Sequence, residues 1–174
     1  MFKAFSTVVS ALALVSMGGV ANASMVRPAG NTTFSGTILA TVAGTTLTCT
    51  GNLTLNASPN NAGDSHGAFS HTDIPTGTLK VTAFTLSGTG CGLATLTGLP
   101  YTVAVGTTSA GGVTPLTITG LTASTFIPGV SCSGNVSGSW NNGTQVLTIP
   151  TQTIGFCNFG GTLAPTSGTF TITN

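Results

Sequence analysis

Between residues 46 and 55 the chain alternates between polar and apolar side chains: Leu47, Cys49, Leu53 and Leu55 stand among Thr46, Thr48, Thr50, Asn52 and Thr54. A period of two belongs to a strand with one buried face; a helix would need a period of about 3.6. Cys49 therefore shares the buried face with the leucines. The alternation returns in Leu99, Tyr101, Val103 and Val105. It returns again in Cys132, Val136 and Trp140, with Gly134 and Gly138 on the same face and Asn135, Ser137 and Ser139 opposite. Those two glycines leave gaps that a large neighbour, Trp140 or an aromatic from a facing strand, is expected to fill.

Further strands are expected at 79–86, 116–118, 145–149 and 169–173, separated by turn-forming segments at 57–63, 87–90 and 109–112. Asn141-Asn142-Gly143 reads as a hairpin turn, because Asn-Gly readily takes positive φ angles. Thr (35 residues) and Gly (25) dominate the chain, a mixture rich in β-branched and turn residues and poor in helix formers. Short strands divided by Gly/Asn/Pro turns predict an all-β, single-domain antiparallel β-sandwich or barrel.

Charge then removes most functional classes. Only 3% of the residues are charged, against about 25% in an average soluble domain. Three Lys/Arg cannot form the basic face that nucleic acid requires, so no nucleic-acid partner is expected. Glu is absent and the acids are Asp64 and Asp73, too few for paired-carboxylate glycosidase chemistry.

Residues 1–23 read as a secretory signal peptide, with Lys3 in the n-region, an apolar stretch from Phe5 to Val20, and the small-x-small site Ala21-Asn22-Ala23. Residues 24–174 then form one domain, secreted to the cell surface or beyond and without a transmembrane segment. Arg27 and Lys80 balance Asp64 and Asp73 in that domain, and zero net charge favours self-association. Its cysteines are Cys49, Cys91, Cys132 and Cys157. An even number in an exported chain predicts two disulfides, with three connectivities open. No Cys-x-x-Cys pair supports a zinc or redox reading.

Two constellations were weighed for chemistry. Gly63-Asp64-Ser65-His66-Gly67 matches the Gly-x-Ser-x-Gly nucleophile elbow, but it lacks a preceding strand, a following helix and a distant base and acid. Asp64, His66, His71 and Asp73 are possible metal ligands gathered in one loop. Their spacing matches no metal motif, and the plainer reading is a solvated loop. No cofactor and no catalytic residue is expected. Trp140, Tyr101, Phe84, Phe126, Phe156 and Phe170 are assigned to the core.

A family resemblance runs over most of the domain. It is carried by Arg27-Pro28-Ala29-Gly30, Leu47-Thr48-Cys49, Phe84-Thr85-Leu86-Ser87-Gly88 leading to Cys91, Gly98-Leu99-Pro100-Tyr101, Cys132-Ser133-Gly134-Asn135-Val136 with Trp140, and the late Cys157. In these segments the chain resembles the secreted alkane oxidation activator PraB family; residues 60–73 depart from that pattern. The resemblance implies an extracellular bacterial protein that promotes growth on long-chain alkanes without being the oxygenase. The residues agree, since there is no His/carboxylate set adequate for an alkane-oxidising iron site. The expected partner is a hydrocarbon or oil surface. The rival expectation is a structural subunit of an extracellular fibre or biofilm matrix, a homopolymer built by adding 24–36 or 168–174 as a strand to a neighbour.

Overall fold

In the computed structural model, residues 24–58, 72–74, 79–125 and 130–173 are described. The alternating segment at 46–55 is the middle of β3 (Thr45–Ala57), which pairs along its whole length with β2 (Gly30–Val42). The other long strands are β5 (Leu79–Ser87), β8 (Val113–Thr125), β9 (Ser131–Asn141), β10 (Val146–Ile154) and β11 (Cys157–Pro165). Shorter ones are β1 (Ser24–Arg27), β4 (Thr72–Ile74), β6 (Ala94–Thr97), β7 (Tyr101–Val105) and β12 (Thr171–Thr173).

Pairing runs β8-β7-β5-β3-β2-β11-β10-β9 and closes through β9 back to β8. The sheet is thus an eight-stranded antiparallel barrel, which decides between the two all-β architectures expected. β6 pairs with the second half of β8 while β7 pairs with the first, so the two short strands share one side of it. The Tyr101 hydroxyl spans the break between them: it accepts from the Thr122 amide at 3.1 Å and lies against the Thr97 carbonyl.

Closing so small a barrel bends strands sharply, and glycine sets where. A Cβ on Gly36 would collide with the Thr162 carbonyl oxygen, and one on Gly161 with that of Thr37. β2 and β11 therefore approach at a distance that only glycine permits. Bulges provide the remaining curvature. In β8 the inward residues are Leu116 and Ile118 before the bulge and Leu121 and Ala123 after it, so the parity of the pattern switches mid-strand. β5 switches likewise, from Leu79 and Val81 to Phe84 and Leu86.

Gaps at the two inward glycines of β9 are filled differently from expectation. A Cβ on Gly134 would stand 3.6 Å from Ile154, and one on Gly138 would stand 3.5 and 3.6 Å from Ile149 and Leu147. The filling is aliphatic and comes from β10, the hydrogen-bonded neighbour, because Trp140 is engaged elsewhere. The 141–143 turn also differs in detail: the positive φ (57°) falls at Gln145, and the loop spans the residues between Asn141 and Val146.

A three-stranded sheet, β12-β1-β4, plugs one end of the barrel. Val26, Phe170 and Ile172, from this plug and its approach, are buried in the same core as Phe34 and Trp140. Phe34, Trp140 and Phe170 pack edge-to-face in a triangle, with centroids 5.1 to 5.7 Å apart. Asn142 latches the plug: its Oδ1 accepts from Trp140 Nε1 (2.8 Å) and the Ile172 amide (2.9 Å), and its Nδ2 donates to the Ile172 carbonyl (2.6 Å). Gln145 Oε1 accepts from the Phe170 amide at 2.9 Å.

Candidate functional site

Among the described residues, no second sheet covers the opposite end of the barrel. β2, β3, β5, β9, β10 and β11 reach it at Val42, Thr45, Ser87, Ser131, Ile154 and Cys157. Both disulfides lie here. Cys49–Cys91 ties β3 to the 3-10 turn after β5, and Cys132–Cys157 ties β9 to β11. The pairing selects one of the three connectivities open to the sequence.

Small inward residues shape this end. Ala40 and Ala123 stand where their neighbours Phe84, Leu96 and Ile154 leave space between them, and a cavity of about 40 Å³ remains. Its wall is apolar apart from Asn158 at the rim, whose Oδ1 accepts from Thr153 Oγ1 at 2.7 Å. An apolar void of this kind stays dry, because a water inside would find too few polar partners.

Phe156 stands at the same rim. Sequence placed it in the core; in the structure it is 75% exposed. The reason is local. Ile154 and Cys157 both point inward, and Gly155-Phe156 is the two-residue turn joining their strands, with Gly155 at φ +60°. That turn lies close against β9: a Cβ on Gly155 would stand 3.0 Å from the Ser133 amide nitrogen and 3.1 Å from the Ser131 carbonyl oxygen. With Cys157 held to Cys132, the ring has no route inward. Leu39, the other exposed large apolar side chain among the described residues, faces out from the same half of β2.

Charge is distributed the opposite way. Among the described residues, Arg27 is on β1, Asp73 is on β4 opposite Met25, and Lys80 begins β5, so all belong to the plugged end. The disulfide end combines an apolar mouth, an exposed aromatic ring and, among the described residues, no charged side chain. An exposed apolar ring beside an apolar mouth gains free energy on leaving water.

The other residues singled out from sequence are not part of it. Trp140, Tyr101, Phe84 and Phe170 are buried as expected. Phe126, Asp64, Ser65, His66 and His71 lie outside the described residues.

The sequence pattern of the alkane oxidation protein activator PraA/PraB-like family matches residues 1–174. The chain belongs to that family. No curated protein and no solved structure matches it. Family membership agrees with the resemblance carried by the Cys49, Cys91, Cys132 and Trp140 segments. It connects the protein with activation of alkane oxidation. The matched range includes residues 60–73, the stretch that departs from the pattern read in the sequence.

Proposed function

We propose that this protein is a secreted, non-enzymatic factor that promotes alkane utilisation by bringing the disulfide end of its barrel onto hydrocarbon. The observation that carries the reading is Phe156, 75% exposed beside an apolar mouth, at the end that carries no charge among the described residues. Leaving a Phe side chain in water forgoes about 1.5 to 3 kcal/mol relative to burying it, and an oil phase offers that burial. The threonine-lined outer wall keeps the rest of the barrel wetted, so adsorption is one-sided. Two disulfides suit the oxidising compartment to which a signal peptide at 1–23 would deliver the chain.

The test is a hexadecane emulsion mixed with residues 24–174 in oxidised form. Wild type is expected on the droplets and Phe156→Ser in the aqueous phase. Equal partitioning of the two, or no adsorption of either, contradicts the reading.

A second reading, the fibre or matrix subunit, draws on the plug. Among the described residues, β12 and β4 each pair on one side only in the three-stranded sheet, whereas β6, which ends the larger sheet, lies against β5. Strand addition would therefore run through 171–173 or 72–74. Light scattering on concentrated protein without oil tests it, with growth of high-mass species expected and a stable monomer contradicting it.

A further inference from the structure

The mouth cavity is not isolated. Below it a second void of about 10 Å³ shares Phe84, Leu96, Leu121 and Phe159 with it. A third, of about 20 Å³, shares Leu53, Ile118 and Ile149 with the second. The three follow one another from the disulfide end into the barrel, and none of them is lined by Phe34, Trp140 or Phe170. Eight strands enclose an interior just wide enough to be filled by side chains or to hold one small ligand. This interior is between those cases: it is packed at the plugged end and underfilled toward the mouth.

We infer that the mouth is a binding site for the end of one neutral, unbranched alkyl chain. The inference rests on the hydrocarbon reading above and adds a saturable site to it. Size selects the ligand: the voids adjoin through shared wall residues and the largest is about 40 Å³, which admits the end of a chain sooner than a ring. Polarity selects it again. The lining offers no partner to a polar group below the rim, and no cation among the described residues stands at this end to meet a carboxylate. A fatty-acid anion would have to lose hydration without compensation. An alkane, or a primary alcohol with its hydroxyl left in the water at the mouth, would not. The contacts that the void lining lacks, and that packed interiors normally make, are those a chain would supply.

Titration calorimetry with 1-octanol, octanoate and cyclooctanol tests this on the oxidised protein. One 1-octanol per chain is expected, with the other two at least about tenfold weaker, which corresponds to about 1.4 kcal/mol. Ala123→Leu fills the mouth and is expected to abolish octanol binding while raising the melting temperature and leaving adsorption to hexadecane droplets intact. Ala40→Leu serves the same purpose if the first variant fails to fold. Unchanged octanol binding in the folded filled variant, or equal binding of octanoate or cyclooctanol, overturns the site. Absence of saturable octanol binding while wild type still coats droplets overturns the site and leaves the surface reading standing. Absence of both overturns both.

Discussion

The two ends of this barrel are built from the same strands and solve opposite problems. At one end, Phe34, Trp140 and Phe170 interlock and the Asn142 side-chain amide holds the β12-β1-β4 plug through the main chain of Ile172. At the other, Ala40 and Ala123 leave a void, Phe156 stands in water and covalent bonds do the holding. Aromatic packing suffices where the core is full. Disulfides are needed where it is not, because an underfilled mouth contributes too little burial to hold its rim together. On the proposed reading, the division lets one end carry stability while the other meets apolar matter.

That contrast can be broken most forcefully at the floor. Trp140→Ala is expected to cost about 3 to 5 kcal/mol, the range for deleting a buried aromatic, read as a lowered urea midpoint. Next comes the mouth. Replacing Cys49 and Cys91 together by Ser should cost about 4 kcal/mol, and the Cys132/Cys157 pair about 3.5 kcal/mol, because the first closes the longer loop; paired denaturation curves give the order. Asn142→Ala strips partners from the Trp140 indole and from Ile172, at about 2 kcal/mol, and should expose β12 to hydrogen exchange before the barrel opens. Phe156→Ser has the smallest effect on stability, within about 0.5 kcal/mol, as for an exposed site. It should nevertheless remove most droplet adsorption. A Phe156→Ser variant that loses stability instead of adsorption would erase the distinction between the two ends.

How far these features could be read from sequence depends on register. β3 was legible throughout, because Leu47 to Leu55 keep one parity against an unbroken polar row. β8 was visible only at 116–118, because its bulge moves the inward set from Ile118 to Leu121 and cancels the alternation. Barrel and sandwich were indistinguishable, since the deciding contact is the β8–β9 pairing that returns the sheet to its start, and no local pattern encodes closure. The disulfides were expected, but their partners depend on which strands meet at one end. Phe156 reads as core from sequence because it lies beside strand-like segments. The signal that could have corrected this is the spacing of Ile154 and Cys157: two inward residues three apart with Gly155 between them mark a turn, and a turn residue of a hairpin faces out. The void was not legible at all, because underfilling is a property of the assembled interior.

The most direct test of the central claim is hydrogen–deuterium exchange of the oxidised protein, free and adsorbed to hexadecane droplets. Slowed exchange is predicted at the disulfide end, in the Gly155-Phe156 and Ala43-Gly44 turns, with the plug strands at 24–27 and 171–173 unchanged. Protection concentrated on the plug, with the Phe156 turn exchanging as in free solution, would contradict the account.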